Sequence, residues 1–155
     1  MKTRVIGFES SCDETAVSVV EADESGALTI LSSVVASQID THRLYGGVVP
    51  EIASRAHIDA ISSLTYEALE RASLSPKELS AVAVTSHPGL IGALLVAVNF
   101  AKAFAAANGL PLVSVDHMKG HIASAYLMES APKPPFLSLA ISGGHTSFYR
   151  VEDYT

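Results

Sequence analysis

At 155 residues the chain can fold as one ordinary domain with a core of its own, and 48% apolar against 17% charged residues excludes a disordered segment. A net charge of −6 excludes a general basic footprint for nucleic acid, so an RNA contact would need a local patch or a partner. Cys12 is the single cysteine, which excludes an internal disulfide and suits a reducing cytosol.

The N-terminus leads into an apolar run over 4–9, too short for the core of a signal peptide. That run reads as a buried strand, residues 10–14 as a polar turn, and 15–21 as a returning strand. After a turn at 22–26, residues 28–38 form a third β-rich run, so the first three strands make an antiparallel meander. Residues 39–49 read as a loop, and Pro50 opens a helix with an apolar stripe through Ile61, Leu64 and Ala68 to about Ala72.

Ser75-Pro76-Lys77-Glu78 has a capping serine, a proline at the first helical position and a glutamate at the third, which predicts a short helical turn. A strand over 81–86, a loop over 87–92 and a helix over 91–107 follow, the helix ended by Asn108-Gly109. Its longest apolar stretch, 90–101, is interrupted by Gly92 and Asn99 and falls short of a bilayer span. A strand over 110–115 leads to a helix running to about Ser130, then a linker over 131–135 with three prolines. Two last strands, 136–141 and 146–151, flank Ser142-Gly143-Gly144-His145. The strand-turn-strand at 5–17 is echoed at 139–148, as two related domains would give, the second present only as its opening hairpin.

Five stretches carry chemistry. His117 and His121 are four apart on a predicted helix, roughly 5–6 Å between Cβ atoms, so both imidazoles can reach one Zn²⁺ or Fe²⁺. The same spacing also arises from surface or capping histidines, and Asp116 reads as the helix N-cap. Ser142, Gly143 and Gly144 form either a cradle of backbone N–H groups for a phosphate or carboxyl oxygen, or a plain hairpin turn. Ser10-Ser11-Cys12-Asp13-Glu14-Thr15 is either a phosphate and cation cradle or a solvated hairpin tip, with Cys12 a small, partly buried residue rather than a nucleophile. Residues 85–92 make a strand-to-helix turn whose glycines serve an anion or close packing. Glu51 and Arg55, after Gly46-Gly47, read as an exposed first turn.

Taken in order and spacing, residues 7–15, 45–56, 88–94, 117–121 and 142–146 closely resemble the N-terminal half of the tRNA threonylcarbamoyladenosine transferase family, formerly labelled O-sialoglycoprotein endopeptidase. The resemblance implies an α/β fold of the actin-like ATPase (ASKHA, ribonuclease H-like) type, its mixed sheet an antiparallel meander plus parallel strands flanked by helices. On that fold, residues 1–131 are the first domain, and 132–155 the linker and opening hairpin of a second. The activity implied is acyl transfer: threonylcarbamoyl moves from threonylcarbamoyl-AMP to N6 of the adenosine 3′ to the anticodon.

Carried over by position, His117 and His121 match the family's two metal-binding histidines, for iron or zinc, and the third ligand is an aspartate of the second domain. Ala140, Ile141, Ser142, Gly143 and Gly144 match its first substrate-binding segment. Asp13 and Glu14 are the expected catalytic carboxylates. The resemblance also implies tRNA, an ATP/ADP-type nucleotide, a paralogous actin-like subunit and a small ATPase subunit as partners, in the cytoplasm and without a membrane. Phe8 and Ser10 depart mildly from the family's isoleucine and threonine. His87 replaces a glycine and is expected to crowd the following helix, and Lys119 replaces a glutamate between the histidines. Two other readings are a metallopeptidase, against which stands the absent general base, and an actin-like half that binds a partner without catalysis.

Overall fold

A computed structural model describes residues 2–141 and 146–154. Seven strands and four α-helices follow one another as β1 (Thr3–Glu9), β2 (Glu14–Ala22), β3 (Leu28–Ser37), α1 (Ile39–Arg43), α2 (Pro50–Arg71), β4 (Ala81–His87), α3 (Ile91–Asn108), β5 (Leu112–Asp116), α4 (His117–Ala123), β6 (Phe136–Ile141) and β7 (Thr146–Val151). The first five strands form one sheet in the order β3-β2-β1-β4-β5. β1, β2 and β3 pair antiparallel, as the meander predicts, while β4 and β5 join β1 in parallel. β6 and β7 pair antiparallel as a separate two-stranded sheet, with Leu139 opposite Phe148.

Strand alternation directs Ile6, Phe8, Val17, Val19, Val82 and Val84 to one face of the sheet, where all are buried. Helix periodicity meets them there: Ala53, His57, Ile61, Leu64 and Ala68 of α2, and Ala93, Ala97, Ala101 and Ala105 of α3, are buried. The alanine stripe lets α3 lie close to the sheet, and Phe8 packs edge-on against Phe100 and Phe104, centroids 5.5 and 6.1 Å away. Each large apolar side chain buried this way contributes roughly 1.5–3 kcal/mol. By length and composition α3 is apolar enough to cross a membrane, beyond what the interrupted stretch at 90–101 suggested. Here its alanine face is the inner wall of the core.

The helix ends follow their local chemistry. α3 stops at Gly109, which takes a left-handed φ of 65°. Ser75 and Glu78 close a capping box on a single 3-10 turn, Pro76–Glu78.

Two expectations are corrected. The predicted loop at 39–49 contains α1, because His42 folds back to the Gln38 side chain four residues earlier (3.0 Å) and is buried there. The predicted helix to Ser130 ends as α-helix at Ala123 and continues as a 3-10 turn, Ser124–Leu127. Only Met118 of α4 is buried, so little packing sustains a longer helix.

Candidate metal and acyl-transfer site

The carboxyl ends of β1, β4 and β5 converge beside the turn that joins β1 to β2, the position at which an open α/β sheet collects its ligands. α4 begins directly after β5, and Asp116 caps it by accepting the N–H groups of Met118 (2.7 Å) and Lys119 (3.2 Å). Desolvation works to raise the Asp116 carboxyl, but those N–H groups hold it below its ordinary range. The cap fixes the first turn of α4 and presents both histidines on one side. Their Nε2 atoms lie 3.0 Å apart, the rings edge to face.

An ion at about 2.0–2.1 Å from each imidazole nitrogen spans such a gap. The pair therefore fits a divalent cation, while the described residues contain no cluster of three metal-ligating side chains.

On its other side, His117 Nδ1 lies 3.1 Å from Glu9 Oε2 and 3.2 Å from Ser11 Oγ. Glu9 ends β1, and its second oxygen accepts the Ser11 main-chain N–H at 2.5 Å. Desolvation pushes the Glu9 carboxyl upward, yet hydrogen bonds from Ser11, Thr85 and His117 outweigh it and leave the group below its ordinary range. Sequence reasoning passed over Glu9 as part of a strand. The carboxylate that touches the histidine pair among the described residues is this one, not Asp13 or Glu14.

Asp13 ends, and Glu14 directly follows, a turn that is anchored residue by residue. Ser10 Oγ donates to the Ala93 carbonyl of α3 (2.7 Å), and the Ser11 carbonyl accepts Leu90 N–H (2.8 Å). The Cys12 carbonyl accepts His57 Nε2–H (3.0 Å), and the Asp13 carbonyl accepts Gln38 N–H (3.0 Å). This is no solvated hairpin tip: Ser10, Ser11 and Thr15 are buried, Asp13 is half-buried, and Glu14 is exposed.

Cys12 is exposed rather than partly buried, because its backbone carbonyl, not its side chain, is what the turn directs inward. Its thiol is pushed up to about 11 by desolvation, by a hydrogen bond to Asp13 and by the charges of Asp13 and Glu9, which suppresses the nucleophilic thiolate.

His57, wholly buried, was missed because a histidine within an amphipathic helix carries no distinctive spacing. With Nε2–H donating to Cys12, its Nδ1 accepts from Thr15 Oγ1 (2.7 Å) and Gln38 Nε2 (3.3 Å). Gln38 Oε1 in turn accepts His42 Nε2–H, and His42 Nδ1 accepts Val49 N–H (3.3 Å). The chain of bonds is complete only with both imidazoles neutral. Desolvation lowers the His57 pKa below its ordinary 6.5, in keeping with that state.

Gly89 lies so close to the turn that a Cβ there would stand 2.6 Å from the Ser11 carbonyl oxygen. His87 does not crowd α3: it is exposed at the end of β4, with Nε2 3.5 Å from Asp116 Oδ2 and Nδ1 2.7 Å from Ser86 Oγ. Glu51 and Arg55 pair with each other on an exposed turn (2.8 Å), as expected. Ala140 is half-buried and Ile141 exposed in β6, whereas Ser142, Gly143 and Gly144 lie outside the described residues. A cleft of about 910 Å³ is walled by His87, Ser114, Asp116, Lys119, Tyr126 and Tyr149 among others, and includes neither His117 nor His121.

Solved structures of similar fold include YeaZ from Pseudomonas aeruginosa, with TM-score 0.62 and 13% identity, covering 97% of this chain and 62% of that one. An Aquifex aeolicus PPX-GPPA enzyme gives 0.57 and 15% over 100% of this chain and 50% of that one. RuvC of Thermus thermophilus, in complex with a Holliday junction substrate, gives 0.53 and 18% over 85% and 84%. Together they show an actin-like, ribonuclease H-like fold.

The sequence is 54% identical over 147 residues to the tRNA N6-adenosine threonylcarbamoyltransferase of Desulforapulum autotrophicum, covering 95% of this chain and 43% of that protein. It is 53% identical over 152 residues to that of Anaeromyxobacter dehalogenans strain 2CP-C, covering 98% and 44%. The chain thus spans less than half the length of these curated relatives. The model of one protein family, described as tRNA N6-adenosine threonylcarbamoyltransferase, matches residues 29–155. With most of its length matched and about half its residues identical to such relatives, the chain belongs to the tRNA N6-adenosine threonylcarbamoyltransferase family.

Proposed function

We propose that this chain supplies the first actin-like domain, residues 1–131, and the linker and opening hairpin of a second, residues 132–155, of an enzyme that makes N6-threonylcarbamoyladenosine in tRNA. The transferred group comes from threonylcarbamoyl-AMP, and the acceptor is N6 of the adenosine 3′ to the anticodon. The observation that carries the reading is the histidine pair, its Nε2 atoms 3.0 Å apart at the carboxyl end of the parallel strands. A divalent ion, iron or zinc, held by His117 and His121 would supply Lewis-acid polarisation of the group being transferred.

The chain's own residues have the following parts. Asp13 and Glu14, at the end of the anchored turn, stand toward the attacking amine. Ala140, Ile141, Ser142, Gly143 and Gly144 bind the adenylate, the glycines allowing N–H groups to approach charge that develops as AMP leaves. An ATP/ADP-type nucleotide is a further ligand of such a fold.

A net charge of −6 directs tRNA to a local patch or to partner subunits. Exposed apolar side chains on the outer helices, Ile58 and Tyr66 of α2 with Ile91 and Leu95 of α3, support docking of a paralogous actin-like subunit. A small ATPase subunit completes the assembly, in the cytoplasm.

The test is tRNA modification by a protein of the relatives' full length that carries this sequence. His117→Ala is expected to abolish transfer when metal is limiting, and transfer at the unaltered rate would refute the assignment.

A further inference from the structure

We propose that Glu9 is the positioning residue of the histidine pair, fixing His117 as the Nδ1–H tautomer so that its Nε2 lone pair faces His121. The inference rests on the metal reading above and extends it to a residue that holds no ion itself.

One carboxylate acceptor and one hydroxyl compete at His117 Nδ1. Glu9 Oε2 lies 3.1 Å away and Ser11 Oγ 3.2 Å away. Were the Ser11 hydroxyl to donate to Nδ1, the nitrogen lone pair would face the Glu9 oxygen, acceptor against acceptor. An ionised carboxylate has no proton to relieve that clash. With the proton on Nδ1 the clash disappears: Nδ1–H donates to Glu9, Ser11 N–H donates to the other Glu9 oxygen, and the Ser11 hydroxyl donates to the same carboxylate.

His117 Nε2 is then a pure acceptor, and at 3.0 Å it accepts the Nε2–H of His121. A cation entering between the rings displaces the proton from His121 Nε2, and that proton, the single one on the neutral ring, moves to His121 Nδ1, while His117 changes nothing. Glu9 thus makes the two ligands unequal, one preset and one adaptive. It acts from behind the ring, as an outer carboxylate orients a metal-binding histidine, and is not the third ligand.

Nitrogen-15 NMR of the 155-residue protein, using two-bond couplings to the imidazole C–H protons, reads the tautomers directly. Wild-type His117 is expected as Nδ1–H before and after Zn²⁺ is added, with His121 switching from Nε2–H to Nδ1–H. Glu9→Gln is expected to abolish the single His117 tautomer. It should also weaken Zn²⁺ binding by about 10- to 100-fold, measured against a chromophoric chelator. Ser11→Ala is expected to keep the Nδ1–H form.

Wild-type His117 found as Nε2–H overturns the inference even if Glu9→Gln fails to fold. So does a tautomer that is lost in Ser11→Ala and kept in Glu9→Gln, or equal Zn²⁺ affinity in Glu9→Gln, with the metal reading intact. Nδ1–H at His117, joined to no Zn²⁺ uptake by a protein of the relatives' full length that carries this sequence, supports Glu9's hold on the ring and overturns the metal reading instead.

Discussion

Replacing His57 removes the side chain that, among the described residues, hydrogen-bonds α2 to the turn bearing Asp13. In His57→Ala the Cys12 carbonyl and the Thr15 hydroxyl lose their partner in a fully buried position, while Gln38 keeps its bond to His42. Two stranded polar groups cost about 1–3 kcal/mol each, and the cavity left by the ring adds to them. A loss of about 3–5 kcal/mol is expected in urea unfolding followed by circular dichroism at about pH 7.5, a large share of a typical domain's 5–15 kcal/mol. The pH dependence gives a second measure. The folded-state pKa of His57 is depressed, so below its unfolded value the unfolded chain binds the extra proton and stability is lost as pH drops. His57→Gln keeps an uncharged donor and acceptor but does not titrate. The gap between wild type and His57→Gln should narrow as pH drops from about 7 to 5. A His57→Ala loss under about 1 kcal/mol, or a gap that does not change with pH, would refute the neutral-histidine network.

Gly89→Ala puts a methyl group 2.6 Å from the Ser11 carbonyl oxygen and 2.7 Å from Ser11 Cβ, so it should cost about 1–3 kcal/mol and shift the His117 ring resonances through Ser11. An unshifted His117 would show that the turn absorbs the change. Although exposed, Cys12 should react with a disulfide reagent about 10-fold more slowly than an ordinary thiol, since raising its pKa from 9.0 to about 11 makes the thiolate scarcer by more than its greater nucleophilicity restores. Reaction at the ordinary rate at neutral pH would contradict that. Glu78→Ala opens the capping box on Ser75 and should lower the urea midpoint, whereas no change would mean the 3-10 turn is held from elsewhere.

Strand alternation and helix stripes were legible because each apolar set serves a single face. Ile6 and Phe8 in β1, or Ile61, Leu64 and Ala68 in α2, could be placed from spacing alone. α1 was not legible, because its five residues are held by the burial of His42 against Gln38, a contact specified by tertiary position rather than local propensity. The histidine pair could be found from its spacing, since i and i+4 share a helix face. Glu9 could not: its partner is 108 residues away, and in β1 it looks like any strand-end carboxylate. The polar network of His42, Gln38 and His57 was hidden for the same reason. Its members are separated by loops, and only the packed domain brings their atoms together.

The anchors of the 10–13 turn span separations of 83 residues to Ala93, 45 to His57 and 106 from Ser11 to His117. Contacts that close such long loops pay their entropy late in folding. The sheet and α2 can therefore assemble before the turn takes its final shape, and a partly folded chain has the scaffold without the chemistry. Because the anchors come from Gln38 between β3 and α1, from α2, from α3 and the residue before it, and from α4, loosening any one of these slackens the turn as well. The Leu90 and Gln38 amide protons, which close two of those anchors, should consequently exchange with solvent through partial openings, faster than the amides of β1 and β4 in the core of the sheet. Amide exchange at those two positions would report whether the reactive end of the sheet is as durable as its core.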